Sequence, residues 1–311
     1  MRSKKWVITA LLFVMVIGTG ARVYAVRKSI TVQDIENVND KETKQKITEV
    51  FLSDGHKGVN VNPEEAGGIE IVKGNFTGTE GIVVSVEFGS KLTLISVYEK
   101  NGKSYRFIDD LGSFLKIESI MPAGLKPEGK DLIFIKENAN QTMGSYENTD
   151  FMRGYFWNGG NFELVFNIPS SIDSQWYDVK DDGSFLWRKV LHKSVAEFEN
   201  GNEPNISRSI KNEYYTCSCH KSEVPEDKDF QLNSSNETEE VYYWSGEWKR
   251  FILAEGIDKT TQEAVAVIED WESQPYALVP QFEDNKNKVR VVRRNGTVSV
   301  ADKNNIDILN E

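Results

Sequence analysis

Tyr155-Phe156-Trp157-Asn158-Gly159-Gly160-Asn161-Phe162-Glu163-Leu164-Val165 carries the plainest structural instruction in this chain of 311 residues. Aromatic and apolar residues flank Asn-Gly-Gly, and Asn and Gly tolerate the positive φ that tight hairpin turns require. Two further stretches share the pattern. Tyr98 and Phe107 bracket an Asn101-Gly102 turn, and Tyr242 and Phe251 bracket Ser245-Gly246. Aligned on the leading Tyr, a glycine follows four residues later and an apolar residue (Phe107, Leu164, Phe251) nine later. Such a degenerate internal repeat predicts a mainly β chain built of repeated antiparallel sheets.

Composition agrees with that class. Aromatic residues make up 11% of the chain, seven of them Trp, which suits sheet packing and argues against disorder. The formal net charge of -11 repels phosphate backbones, and no basic patch interleaved with aromatics stands out, so nucleic acid is excluded as a partner. Two cysteines do not make a disulfide framework, and burial must supply the stability.

The first 25 residues read as an export signal. Arg2, Lys4 and Lys5 precede an apolar run from Trp6 to about Gly20, and Val23-Tyr24-Ala25 places small residues at the specificity positions of signal peptidase. Cleavage after Ala25 gives a secreted protein. Retention, which Arg22 and Tyr24 would favour, gives an N-terminal anchor and the chain's one membrane contact. Either way the basic end stays cytoplasmic and the rest is extracytoplasmic.

Residues 26–68 are expected to be helix and linker. Thr31 with Asp34, and then Asp40, can cap helix starts, and Val32, Ile35, Val38, Ile47, Val50 and Phe51 recur at helical spacing over 31–52. Residues 69–255 read as a β-repeat domain, with strands over 69–72, 82–88, 92–99, 103–109, 132–136, 151–157, 162–166, 176–179, 185–191, 239–243 and 248–253. The polar, acidic stretch Lys221–Glu240 reads as an exposed insertion. Residues 256–311 show short strands over 264–268, 276–279, 289–292, 297–300 and 306–309, a pattern that resembles a small SH3-like barrel.

Each repeated hairpin follows a glycine-acid loop and an apolar strand: Gly74 to Val84, Glu128 to Phe134, and Asp178 to Gly183. That order resembles the FG-GAP and VCBS repeats of secreted β-propellers over about residues 70–255. The resemblance implies a propeller-like arrangement, closed or open, and calcium held by acidic loops. Only the third loop has carboxylates at suitable positions, Asp178 and Asp182, and Lys180 stands between them where calcium needs oxygen. The alternative is a plain turn at Asp182-Gly183. No other cofactor is expected.

Cys217-Ser218-Cys219-His220 is the sharpest local cluster. Residues 217 and 219 of a strand share a face near the upper limit of disulfide geometry, so inert thiols, a structural or redox-active disulfide, and metal binding with His220 all stand open. Trp157, Phe162, Trp244 and Trp248 could present a glycan- or peptide-binding face, or could pack the sheets together. The acidic pairs, Glu239-Glu240 among them, read as solvated surface, and no GxSxG, HExxH, GxGxxG or GKS/T motif occurs. No catalytic residue is assigned. The expectation is a non-enzymatic binding or structural protein of the cell envelope or extracellular space, with a protein or glycan partner. The alternative is a secreted hydrolase with its site in the repeat loops or in 221–240.

Overall fold

The computed structural model describes residues 29–142, 146–219 and 223–309. Residues 1–25, expected to be an export signal, and His220 lie outside the described residues. The fold is mainly β: three antiparallel sheets and few helices.

The chain enters through β1 (Ile30–Thr31), then helix α1 (Val32–Glu36) and helix α2 (Lys41–Asp54). Of the two readings of 31–52, one broken helix or two short ones, the second holds, and both expected caps form. Thr31 Oγ1 accepts from the Asp34 amide at 3.2 Å while Asp34 Oδ2 accepts from the Thr31 amide at 2.7 Å. Asp40 Oδ2 accepts from the Thr43 amide at 3.0 Å. These bonds satisfy amides that helix geometry leaves without partners.

β2 (Ala66–Gly74), β3 (Gly81–Phe88), β4 (Leu92–Asn101) and β5 (Ser104–Phe114) form a meander, and β1 pairs along β5. Side chains alternate across it. Ile82, Val84, Val86, Leu94 and Tyr98 lie under Ile47, Val50 and Phe51 of α2. Val83, Ile95 and Val97 face the other way, onto Ile133, Ile135, Tyr155 and Phe162 of the next sheet. Burial on both faces explains why β3 and β4 are apolar at most positions rather than at alternate ones.

That next sheet has eight strands, each antiparallel to its chain neighbours: β6 (Lys116–Leu125), β7 (Lys130–Thr142), β8 (Tyr146–Trp157), β9 (Phe162–Val179), β10 (Phe185–Glu199), β11 (Asn205–Cys219), β12 (Gln231–Ser245) and β13 (Arg250–Ile252). Strands far apart in its order nevertheless touch. Phe166 of β9 lies 5.2 Å from Tyr242 of β12 and 5.8 Å from Phe251 of β13, and Phe156 of β8 lies 5.0 Å from Trp244. The sheet therefore rolls into a half-barrel around these rings. Glu128, just past the first edge strand, accepts from Trp244 Nε1 at 3.2 Å and from Lys249 Nζ at 2.7 Å, tying the two edges together.

This topology corrects the propeller expectation. The first repeated hairpin joins β4 to β5, but the second (β8 to β9) and third (β12 to β13) lie in one sheet. Blades would require pairing to stop between repeats; instead β10 and β11, 15 residues each, carry it through. The stretch expected as an exposed insertion is strand from Gln231 onward. β12 pairs with β11 from Gln231 to Tyr243, so backbone bonds hold a segment whose side chains are polar. Residues 162–166 and 176–179 belong to one strand, because a bulge at Pro169 and Ser170 absorbs the proline: Phe151 pairs Pro169 and Asp150 pairs Ser171.

β14 (Ala254–Asp258), β15 (Glu263–Asp270), β16 (Lys288–Arg293), β17 (Val298–Asp302) and β18 (Ile306–Ile308) form the third sheet, in the order β17-β16-β15-β14-β18. A 3₁₀ turn (Lys303–Asn305) separates β17 from β18, which returns to pair with β14. Residues 276–279, expected as strand, are largely a 3₁₀ segment (Pro275–Leu278) that opens on a proline. With its neighbours it crosses β10 and β11, where Val279 packs on Val190 and Tyr214.

Candidate functional site

The third sheet and its 3₁₀ connection cover the inner face of the long sheet, and polar side chains gather there. Arg208 of β11 pairs Glu240 of β12 in register. Its Nη1 donates to Glu240 Oε2 at 3.1 Å, its Nη2 to the Pro169 carbonyl at 2.9 Å and to His192 Nε2 at 2.8 Å. His192 Nδ1 lies 2.6 Å from Asn212 Oδ1, and Asn212 Nδ2 donates to Asn236 Oδ1 and to the Ser273 carbonyl. Tyr242 Oη donates to Glu240 Oε2 at 3.0 Å. The bulge at Pro169 turns its carbonyl into this network, where Ser194 Oγ also donates to it at 2.8 Å.

Burial sets the charge states. His192 is 1% exposed, and burial together with the Arg208 guanidinium pushes its imidazole down to about 4. It is a neutral ring with Nδ1 donating and Nε2 accepting, both nitrogens engaged. Burial beside Glu240 pushes the Tyr242 phenol far above its ordinary range. Burial also raises the Glu269 carboxyl, against the opposing pull of Arg290 and Arg208.

Where the half-barrel's seam meets the third sheet, the network borders a cleft of about 160 Å³. Leu164, Phe166, Ile168, Phe251, Ile268 and Val298 give it apolar walls, with Tyr242 beside them. Three charged residues enter: Arg250 of β13, Glu269 of β15 and Arg290 of β16. Arg290 Nη1 and Glu269 Oε2 are 2.9 Å apart, a closed ion pair. Arg250 differs. Its Nε is buried with no hydrogen-bond partner, and burial pulls its pKa down despite the Glu163 carboxylate nearby. A buried guanidinium N–H without an acceptor costs roughly 1–3 kcal/mol, which a ligand acceptor would offset.

The residues singled out from sequence lie elsewhere. Trp157 and Phe162 touch at 5.2 Å, with Phe162 buried against the N-terminal sheet. Trp244 belongs to the half-barrel core. Trp248 packs against Ile252, Ala266 and Val292, with the Arg294 guanidinium 4.0 Å from its ring centre. These four share no common face. Asp178 accepts from Arg188 Nε at 3.0 Å and from Gln281 Nε2 at 3.2 Å. Asp182 Oδ1 accepts from the amide and hydroxyl of Ser184, closing the turn in which Gly183 takes φ 79°. Among the described residues no three His, Cys, Asp or Glu gather as a metal site would require. Cys217 and Cys219 form a disulfide, with Cα atoms 5.9 Å apart, packed beside Trp187 and Phe230.

Sequence reasoning missed Arg208, Glu240, Arg250, Glu269 and Arg290. One signal was present: neighbours on a strand face opposite ways, so on a sheet covered on one side only one of Glu239 and Glu240 can be solvated surface. Glu239 is exposed, whereas the Glu240 side chain is 8% exposed. No family model matches the chain, and no curated protein matches its sequence.

Proposed function

We propose that this chain is an exported, non-enzymatic binding protein of the cell envelope or extracellular space, and that the cleft at the half-barrel seam is its binding site. One observation carries the reading: Arg250, whose buried Nε has no hydrogen-bond partner, lines a cavity with several apolar walls. Apolar walls with a few fixed polar groups are the usual make-up of a ligand site. The non-enzymatic part rests on His192, whose two nitrogens are both engaged and which is closed to solvent. Export rests on the charge and hydropathy pattern of residues 1–25. We read the third sheet as an SH3-like module, supported by its strand order and by the 3₁₀ turn before the strand that returns to β14.

The test is a fragment screen on the full chain by methyl and aromatic NMR, with cell fractionation alongside. The expected result is shift changes confined to Tyr242, Phe251, Ile268 and Val298, and protein recovered outside the cytoplasm. Fragments that instead perturb the outer face around Val195 and Val241 would remove the cleft from consideration. Recovery in the cytoplasm would remove export.

A further inference from the structure

We infer that the ligand of this cleft is a monovalent carboxylate with a short apolar tail, bound by the fork of Arg250. The inference rests on the cleft being the binding site and adds the chemical class of what fills it. Arg290 is already neutralised by Glu269 at 2.9 Å, so Arg250 is the cleft's surplus positive charge. Its Nε is the orphaned atom. Nε–H and the adjacent Nη–H form the planar edge that grips both oxygens of a carboxylate.

Charge count limits the guest. With Glu269 taken up by Arg290 and Glu163 close enough to act on Arg250, the cleft offers at most one net positive charge, and the second charge of a dianion such as phosphate would go uncompensated. A single negative charge matches. The other end of the guest meets mostly apolar side chains, Leu164, Phe166, Ile168, Phe251 and Val298, with Asn167 and Tyr242 the neutral polar residues of the lining. A cavity of about 160 Å³ is of the size that takes a benzene-like guest, which sets the tail at a few carbons or one ring. A free short-chain or aromatic acid and the C-terminal residue of a peptide share this chemistry.

The discriminating experiment is calorimetric titration of the full chain with hexanoate, hexanol, hexylamine and inorganic phosphate. Two peptides ending in leucine, one a free acid and one an amide, separate the sources. Hexanoate is expected to bind at least tenfold more tightly than hexanol, with no binding of hexylamine or phosphate. The free-acid peptide binding more tightly than hexanoate would assign the site to chain termini, and the reverse to small acids. Arg250→Met is expected to weaken hexanoate at least tenfold while leaving the unliganded melting midpoint unchanged or higher, since it removes a buried orphan donor. Equal binding of hexanol and hexanoate would overturn the carboxylate inference and leave the cleft as an apolar site. Binding of none of these probes, with fragment shifts absent from the cleft, would overturn both. Arg250→Met that binds hexanoate as the parent does would assign the anion to another residue and sink the role of Arg250. The comparison of acid with alcohol needs no variant, so it stands even if Arg250→Met fails to fold.

Discussion

The two outer sheets flank the same long sheet, yet they are finished differently. The N-terminal sheet is sealed on both faces, by α2 on one side and by β7 and β8 on the other, and Ile82, Val83, Val84, Ile95 and Val97 are all fully buried. The C-terminal sheet buries Val265, Val291 and Ala266 but leaves Val298 and Val300 of its edge strand about half exposed. It meets the half-barrel partly through a buried apolar cluster of Trp248, Ile252, Ala266 and Val292 and partly across a cleft that holds Arg290 and Glu269. The central strands of both sheets are buried on two faces, and the difference lies at the half-exposed edge strand, where the C-terminal sheet can line a site.

The contrast can be broken most forcefully on the sealed side. Phe51 is fully buried between α2 and the N-terminal sheet. Phe51→Ala should cost about 3–5 kcal/mol, seen as a large drop in the urea midpoint. A loss under about 1 kcal/mol would mean that α2 does not hold the sheet.

Next comes the buried ion pair beneath the C-terminal sheet. Arg208→Met leaves Glu240 buried without its cation and should cost about 3 kcal/mol, whereas the double variant Arg208→Met, Glu240→Leu should recover most of it. Equal losses in the single and double variants would show that the pair is not coupled.

The imidazole of His192 gives a comparable effect that depends on pH. Its folded pKa is about 4 against an ordinary 6.5, so between those values the unfolded chain binds a proton that the folded chain refuses. Stability is therefore full above about pH 6.5 and falls as pH drops toward 4, by roughly 3 kcal/mol in total. Denaturant midpoints at pH 7 and 4.5, compared with His192→Gln, should show a shallower fall in the variant. Parallel profiles would place the proton uptake elsewhere.

The smallest effect belongs to the exposed edge. Val300→Thr on β17 should change stability by less than about 0.5 kcal/mol, since its side chain is about half in water. A larger loss would show that something covers this strand in solution.

How much of this was legible follows the same contrast. β3, β4 and β8 are apolar enough to be read directly, and the caps at Thr31 and Asp40 announce α1 and α2. β11 and the first half of β12 carry Ser, Asn, Glu and Lys, and their strand state comes from pairing with each other, a non-local fact that composition does not record. The half-barrel was hidden for a related reason, since Phe166 and Phe251 meet only after the sheet bends. Arg250 stood in plain view inside the third repeat but looked like any surface arginine. What distinguishes it is burial, and burial belongs to the fold.

The ordering of the long sheet bears on how the chain acquires its structure. Each of its eight strands pairs only with its neighbours in sequence, so every ladder can zip from a hairpin without waiting for a distant segment. Such local pairing shortens the loops that must close before a contact forms, and it favours fast growth from several starting hairpins. The exception is the roll itself. Bringing Phe166 to Tyr242 and Phe251 joins residues 76 and 85 positions apart in the sequence, so the seam closes after the strands it joins. Until then the aromatic face of β7, β8 and β9 is open to solvent, and the interval between zipping and rolling is when this protein is most exposed to aggregation.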